Sequence, residues 1–232
     1  MNVIITGASK GLGKAIAEKY AEAGHHLIIC ARNEKLLSAT KDELLKKNAG
    51  CRVETMTVDL SKKENAIAFG NFVLRFGTPG ILVNNAGSFV PGSIHTEPEG
   101  ALEEMMETNL YSAYHLTRKL LPEMMDAKSG HIFNMCSIAS IQAYPNGGSY
   151  SLSKWALLGL TKNLREEMKP YNIKVTAIIP GAAYTDSWKE SGLNEDRFMK
   201  PDDIAEMVYA VSQLSPQTCA EEIILRPQLG DL

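Results

Sequence analysis

Short runs of apolar and β-branched residues recur along the chain and predict strands. Runs of this length, separated by polar and turn-forming residues, are typical of strands buried in a sheet. The seven runs are Val3–Thr6, Leu27–Cys30, Val53–Val58, Ile81–Asn84, His131–Cys136, Lys174–Ile179 and Glu222–Leu225.

The longer stretches between these runs are rich in Ala, Leu, Glu, Lys or Met, which favours helices. They are Leu12–Ala23, Glu34–Lys47, Lys62–Arg75, Pro98–Leu121, Tyr150–Met168 and Pro201–Leu214. Strands that alternate regularly with helices indicate βαβ units and a parallel sheet covered on both faces. We therefore predict an α/β fold with a doubly wound parallel sheet of about seven strands.

Nothing in the sequence divides the chain into parts. There is no repeat, low-complexity tract or proline-rich linker, so we predict one domain over residues 1–232. The longest stretch without a clear pattern, residues 184–200, follows directly after the end of a predicted strand. Ligands of open α/β sheets bind beyond the carboxyl ends of the strands, so we expect this segment to form a substrate lid.

Composition favours a small-molecule function. The 232 residues are 44% hydrophobic and 22% charged, with a net charge of −3, and lack the basic excess typical of nucleic-acid binding. No apolar run reaches the roughly 18 residues that a membrane span needs. Met1 leads directly into the first predicted strand, so we expect no signal peptide, no membrane partner and a cytoplasmic location.

The cysteines and histidines indicate neither disulfides nor a metal site. The four cysteines are widely spaced, and the five histidines show no ligand spacing such as His-Glu-x-x-His. We expect reduced cysteines and no metal.

A glycine-rich turn follows the first predicted strand and opens the first predicted helix. It reads Thr6-Gly7-Ala8-Ser9-Lys10-Gly11-Leu12-Gly13. Glycines here let the backbone approach a pyrophosphate and leave the amides of the helix N-terminus free to bind it. The spacing departs from the common Gly-x-Gly-x-x-Gly fingerprint, and alone it could be only a tight connection. Its position favours dinucleotide binding.

The residues after the second predicted strand favour NADP(H). NAD-binding folds place an acid about 20 positions beyond the fingerprint, where it binds the ribose 2′-hydroxyl. Arg32 and Asn33 occupy this neighbourhood, and Lys10 adds a second cation. A guanidinium suits a 2′-phosphate, which a carboxylate would repel. Glu34 is discordant, and we interpret it as a first-turn helix acid; alternatively, Arg32 and Lys10 are solvated surface charges.

Tyr150 and Lys154 lie four positions apart in a predicted helix, downstream of Ser137. Positions i and i+4 share one helix face at about 5–6 Å, so the ammonium can act on the phenol. A free phenol has a pKa of about 10, and a nearby cation lowers it by favouring the phenolate. This spacing alone is common on helix surfaces. Combined with Ser137 and the glycine turn, it indicates a proton-transfer site.

Seven short motifs follow one another along the chain. They are Thr6-Gly7-x-x-x-Gly11-x-Gly13, Asp59-Leu60, Asn84-Asn85-Ala86-Gly87, Asn109, Ser137, Tyr150-x-x-x-Lys154, and Pro180-Gly181 followed by Thr185. With them the chain resembles the short-chain dehydrogenase/reductase family over nearly its whole length. The resemblance implies a Rossmann-type fold and an NADP(H)-dependent oxidoreductase acting on CH-OH or C=O groups.

The resemblance also implies roles for individual residues. Ser137 would hold the substrate oxygen, and Tyr150 would pass the proton. Lys154 would lower the pKa of Tyr150 and bind the nicotinamide ribose, and Asn109 would anchor a water linking Lys154 to solvent. The implied cofactor-binding residues are Gly7, Ser9, Lys10, Gly11, Leu12, Gly13, Arg32, Asn33, Asp59, Leu60, Asn85, Ala86, Gly87, Tyr150, Lys154, Pro180, Gly181, Ala183 and Thr185.

The C-terminal strand lacks the glycine-rich ending of many family members. We therefore expect a homodimer, formed through the helices around residues 105–121 and 150–168, with a homotetramer as the alternative. Residues 180–188 and 221–227 resemble bacterial sepiapterin reductase-like members of the family.

Residues near Ser137 and in the predicted lid suggest a rather apolar substrate pocket. Ile138, Tyr144 and Trp188 would line it, with Phe198 and Met199 in the lid. Such a pocket could stack a flat ring, although Trp188 could equally pack the lid onto the core. The candidate substrates are a pteridine diketone side chain, a 3-oxoacyl thioester and small aromatic or aliphatic ketones.

The leading functional hypothesis is an NADPH-dependent carbonyl reductase. An NAD-dependent alcohol dehydrogenase is disfavoured by Arg32. A non-catalytic NADP(H)-binding sensor would need the glycines but not the set Asn109, Ser137, Tyr150 and Lys154.

Overall fold

The computed structural model describes residues 1–186, 188 and 192–231. A seven-stranded sheet forms its centre, with the strand order β3-β2-β1-β4-β5-β6-β7 and every neighbouring pair parallel. The strands are β1 (Asn2–Thr6), β2 (His26–Ala31), β3 (Arg52–Thr57), β4 (Pro79–Asn84), β5 (Gly130–Met135), β6 (Ile173–Pro180) and β7 (Glu222–Leu225). The predicted doubly wound α/β fold is confirmed.

Seven α-helices of the described chain cover both faces of this sheet. They are α1 (Gly11–Glu22), α2 (Glu34–Lys47), α3 (Lys63–Leu74), α4 (Ala101–Met106), α5 (Ser112–Ala127), α6 (Gly148–Met168) and α7 (Pro201–Ser212). Strand β1 shows why both faces are apolar. Val3 and Ile5 belong to the core beneath α1 and α7, while Ile4, which points to the other side, packs in the core beneath α3 and α5.

The prediction of one helix over Pro98–Leu121 is wrong in its bounds. Gly100 has a φ of 87°, so the helix begins only at Ala101. A π-helical turn, Glu107–Tyr111, then separates α4 from α5. Helix α5 continues past Pro122 to Ala127, because its buried face, including Leu120 and Met124, still packs against the sheet.

The winding of the sheet reverses beside β1. The chain proceeds from β1 to β2 and β3 on one side and continues with β4 to β7 on the other. The connections after β1 and β4 therefore leave the sheet in opposite directions and open a crevice between them. Open α/β sheets bind ligands at this reversal point.

Candidate active site

A cleft of about 730 Å³ opens at the carboxyl ends of the strands, where the winding reverses. It brings together nearly all of the predicted site residues. Those that line it are Gly7, Ser9, Lys10, Gly11, Leu12, Arg32, Asn33, Asp59, Leu60, Asn85, Ala86, Gly87, Ser137, Ile138, Tyr144, Tyr150, Lys154, Pro180, Gly181, Ala183, Thr185 and Trp188. Gly13 and Asn109 are buried behind the lining.

The glycine turn has a backbone that side chains would obstruct. Gly7 and Gly11 have φ angles of 65° and 55°, which favour glycine. At Gly13 an added Cβ would lie 2.4 Å from Asn85 Nδ2 and 2.5 Å from the Gly7 carbonyl oxygen. The turn thus forms a backbone cradle at the start of α1, and this cradle fits a pyrophosphate despite its unusual glycine spacing.

Strand β4 holds the turn in place through its carboxyl end. The Asn85 side chain donates to the carbonyl oxygens of Thr6 and Gly7 at 2.8 and 3.1 Å. The Thr6 hydroxyl in turn accepts from the backbone amides of Asn85 and Ala86 at 3.0 and 2.9 Å. The two sides of the crevice are therefore tied together where a dinucleotide would cross from one to the other.

The end of β2 carries a cation that faces the cleft. Arg32 is exposed, lines the cleft and makes no ion pair with any described residue. Asn33 caps α2 by accepting from the Leu36 amide at 3.0 Å, and Glu34 is the first residue of that helix. Glu34 is therefore placed as a first-turn acid, as interpreted from the sequence. Lys10 pairs with Asp186 of the predicted lid at 3.0 Å.

Tyr150 and Lys154 lie on one face of α6 and point into the other end of the cleft. The Lys154 ammonium is 5.8 Å from the centre of the Tyr150 ring and donates to the Met135 carbonyl oxygen at 2.7 Å. Burial lowers the pKa of Lys154 to about 8, partly opposed by Cys136. Both groups thus face the same end of the cleft.

Burial also shifts the pKa of the phenol. It raises the pKa of Tyr150 to about 12, and hydrogen bonding by Ser137 opposes part of this increase. Lys154 is not among the causes of this change, so its expected lowering of the tyrosine pKa stays a prediction. At neutral pH the phenol is protonated and able to act as an acid.

A short turn after β5 places Ser137 beside Tyr150. The Ser137 hydroxyl accepts from the Ala139 amide at 3.2 Å, while Ser140 Oγ accepts from the Ser137 amide at 3.1 Å. Ser151 of α6 donates to the Ala139 carbonyl oxygen at 3.0 Å. These contacts fasten the turn to the helix that carries Tyr150.

Asn109 lies in the π-helical turn between α4 and α5, and it is 1% exposed. Single π-helical turns inside α-helices are frequent at functional sites. Its side-chain amide donates to Ser153 Oγ and to the Ser88 carbonyl oxygen, and its Oδ1 accepts from the Ser88 amide. A Cβ on Gly87 would lie 2.9 Å from Asn109 Oδ1, so glycine is needed there. Because protein partners engage the side chain, the water-anchoring role stays a prediction.

Phe89 is a site residue that the sequence reasoning missed. Its ring packs edge-on against Tyr150 at 4.8 Å and stacks with Trp188 at 6.1 Å. Trp188 also contacts Phe198 at 5.4 Å. The position of Phe89, just after the Asn85-Ala86-Gly87 motif that follows a strand, is the signal that could have revealed it. The wall beside the phenol is thus aromatic.

The predicted lid is tied down at its base. Ala183 pairs with Met199, and the Tyr184 amide donates to the Met199 carbonyl oxygen at 2.9 Å. Positions 187 and 189–191 of the lid lie outside the described residues. Phe198 is buried at this base rather than lining the cleft.

The C-terminal tail and the segment after Ser140 add polar residues that no sequence pattern indicated. Asp231 and Gln142 both line the cleft, and Arg226 pairs with Asp231 while donating to Gln142 Oε1 at 3.1 Å. A Cβ on Gly181 would lie 3.1 Å from Pro227, so this tail packs closely on the end of β6.

Neither a cluster of metal ligands nor a membrane-spanning helix is present among the described residues. Among residues 1–186, 188 and 192–231, no group of three or more His, Cys, Asp or Glu side chains could hold a metal ion. In the same part of the chain, no helix combines the length and apolarity needed to cross a membrane.

Comparison with known proteins identifies relatives of the whole chain. The sepiapterin reductase of Chlorobaculum tepidum is 35% identical over 237 residues, covering 99% of this chain and 97% of that protein. A metagenomic short-chain oxidoreductase solved with NADP is 33% identical, with a TM-score of 0.85 over 98% of this chain and 97% of that one. A 7α-hydroxysteroid dehydrogenase solved with NADH and 7-oxo glycochenodeoxycholic acid is 28% identical, with a TM-score of 0.90 over 99% and 94%.

The family model described as short chain dehydrogenase matches residues 1–196, which include the glycine turn, Ser137, Tyr150 and Lys154. The chain therefore belongs to the short-chain dehydrogenase family of oxidoreductases.

Proposed function

We propose that this chain is a cytosolic NADPH-dependent carbonyl reductase, formed by one catalytic domain with a substrate lid around residues 184–200. The observation that carries the proposal is the layout of the cleft. The guanidinium of Arg32, which makes no ion pair with any described residue, lies at one end, and Ser137, Tyr150 and Lys154 converge at the other. The first suits a 2′-phosphate, and the second suits proton transfer to a carbonyl oxygen.

At the end of the cleft where Ser137, Tyr150 and Lys154 converge, each polar side chain has its own role in the reaction. Ser137 holds the substrate oxygen, and Tyr150 donates its proton to that oxygen in reduction or accepts it in oxidation. Lys154 binds the ribose and stabilises the phenolate left after donation, because its ammonium lies on the same helix face. The nicotinamide cofactor, when bound, supplies or takes up the hydride.

The test of the proposal is NADPH consumption with a panel of carbonyl compounds. The panel includes a pteridine with a diketone side chain, a 3-oxoacyl thioester, and small aromatic and aliphatic ketones. Reduction of at least one class is expected. Failure to reduce any of them, in a protein that binds NADPH, would favour the non-catalytic sensor.

We expect Arg32→Asp to erase or reverse a preference for NADPH over NADH. A charge-assisted hydrogen bond contributes about 1.5–3 kcal/mol, and about 1.4 kcal/mol is tenfold, so the ratio of the two kcat/KM values should change at least about tenfold. Lys35→Asp makes the same charge change at an exposed position outside the cleft lining and serves as the control. An unchanged ratio in Arg32→Asp would make Lys10 the next residue to test.

A pteridine carbonyl is the narrower substrate proposal. It is supported by the aromatic wall of Phe89 and Trp188 and by the relation to a sepiapterin reductase. A 3-oxoacyl thioester is the alternative, and it would not need a flat ring to stack.

We expect Trp188→Ala to raise KM for an aromatic or pteridine carbonyl by about two- to tenfold more than for a small aliphatic ketone. Only a flat ring loses a stacking partner, and an aromatic pair contributes about 0.5–1.5 kcal/mol beyond burial. Because Trp188 also packs on Phe89 and Phe198, Trp188→Leu is the matched variant, which keeps apolar volume without the ring face. Equal losses for both substrates would show that the residue only supports the lid.

A homodimer is proposed from the outer faces of α5, α6 and the π-helical turn. Large apolar side chains are exposed there, including Tyr111, Tyr114, Leu152 and Trp155. Exposed apolar side chains gathered on neighbouring helices are typical of protein interfaces. Light scattering would separate a dimer from the tetramer alternative.

A further inference from the structure

Helix α6, which carries Tyr150 and Lys154, begins without a capping side chain of its own. The first turn of a helix leaves its backbone amides unpaired, and Ser, Thr, Asp or Asn usually caps them. Here Gly147 is the capping position and Gly148 the first helical residue, and Gly147 makes no side-chain cap. The amides at the start of the catalytic helix must therefore find their partner elsewhere.

The partner comes from the long connection between β4 and α4. Glu97 Oε1 accepts from the Ser149 amide at 2.8 Å, and Glu97 Oε2 accepts from the Ser149 hydroxyl at 2.5 Å. Ser149 is buried and directly precedes Tyr150. A carboxylate also suits the positive end of the helix dipole.

Two glycines make room for this carboxylate. A Cβ on Gly148 would lie 2.1 Å from Glu97 Oε1, and a Cβ on Gly92 would lie 2.7 Å from Glu97 Cγ. Gly148 has a φ of 37°, outside the range that side chains favour. A side chain at either glycine would therefore collide with Glu97.

The same connection is fastened to the turn that leads into the helix. The Gly92 amide donates to the Asn146 carbonyl oxygen at 3.0 Å, and the Ser93 hydroxyl donates to Asn146 Oδ1 at 2.7 Å. Phe89, which lies in the first part of this connection, packs on the ring of Tyr150. The connection thus touches both the start of the helix and the phenol itself.

We propose that Glu97 is a positioning residue for Tyr150. By capping α6 across the fold, its carboxylate sets where the first turn of the helix lies, and hence the place of the phenol relative to Ser137 and Lys154. The inference rests on the proposed role of Tyr150 as proton donor. A general acid must be within hydrogen-bond reach of its acceptor, and a misplacement of about 1 Å can reduce the rate on the order of a hundredfold.

The test compares Glu97→Ala, Glu97→Gln and Glu99→Ala. We expect Glu97→Ala to lower kcat by about 10–100-fold, with the KM for NADPH changed by less than about threefold, since Arg32 and the glycine turn are untouched. Glu97→Gln keeps an oxygen that can accept from the Ser149 amide and should restore most of the lost kcat. Glu99→Ala removes an exposed carboxylate two positions away and should behave as the wild type.

Hydrogen exchange of the segment 146–152, measured without cofactor, provides the readout that does not depend on turnover. Faster exchange there in Glu97→Ala than in Glu99→Ala is expected. Full activity of Glu97→Ala overturns the proposal. So does a loss of kcat that is explained by the fraction of unfolded Glu97→Ala protein and that Glu97→Gln does not restore. If the wild type reduces no carbonyl, the proposed function fails. In that case hydrogen exchange still tests the cap: an unchanged exchange rate of segment 146–152 in Glu97→Ala would show that Glu97 does not hold the start of α6.

Discussion

Tyr150→Phe is expected to lose carbonyl reduction by about 10²–10⁴-fold while still binding NADPH, because it removes the transferable proton and little else. The ring keeps its edge-on contact with Phe89, so the wall of the cleft stays packed. The measurements are kcat with the best substrate of the panel and NADPH affinity by fluorescence. A variant that keeps more than about a tenth of the wild-type kcat would remove Tyr150 from the role of proton donor.

The control for this variant is Tyr171→Phe. It removes a phenolic hydroxyl from a residue that does not line the cleft. Its kcat should match the wild type. A similar loss in both variants would point to a general effect on folding rather than to the proton.

Lys154→Met is expected to be comparably damaging to kcat and to weaken NADPH binding as well. The buried ammonium donates to the Met135 carbonyl oxygen, and Lys154 also lines the cleft, where the ribose is proposed to bind. Loss of a charged hydrogen bond costs about 1.5–3 kcal/mol, or at least about tenfold in affinity. A variant that lowers kcat alone would contradict the ribose contact.

Lys154→Met should also change how the folding stability depends on pH. The pKa of Lys154 is about 8 in the folded protein, whereas the ordinary pKa of a lysine, which applies to the unfolded chain, is 10.5. The unfolded chain therefore binds this proton more tightly. The folding stability of the wild type should therefore rise, relative to Lys154→Met, as the pH increases through this interval. Thermal unfolding of both proteins between pH 7 and about 10 measures the difference. Parallel curves would mean that the ammonium is not desolvated.

The local patterns of the sequence were sufficient for the architecture. Alternation of apolar runs and helix-forming stretches is a short-range property, and it predicted all seven strands to within about two residues of their observed ends. The helix around Pro98–Leu121 was the exception. Its π-helical turn and its passage through Pro122 depend on packing against the sheet, which no local pattern records.

The candidate site also combines features that the sequence predicted with features that depend on the fold. Spacing alone placed Tyr150 and Lys154 on one helix face, and the order of the motifs brought Ser137 and the glycine turn to the same sheet edge. The pKa values of these groups could not be predicted, because burial dominates them and burial is set by the surrounding fold.

By itself, therefore, the sequence determined the α/β fold, the glycine cradle and many of the polar residues in the cleft. The first two depend on neighbours a few positions apart, and the third on motifs whose order along the chain can be read directly. Only the tertiary structure decided that Phe89 packs on Tyr150, that Glu97 caps the helix of Tyr150, and that the tail around Asp231 reaches the cleft. These contacts join segments far apart in the chain. Their geometry follows from connection lengths and from the close packing of the whole molecule, which leaves each long-range pair one arrangement.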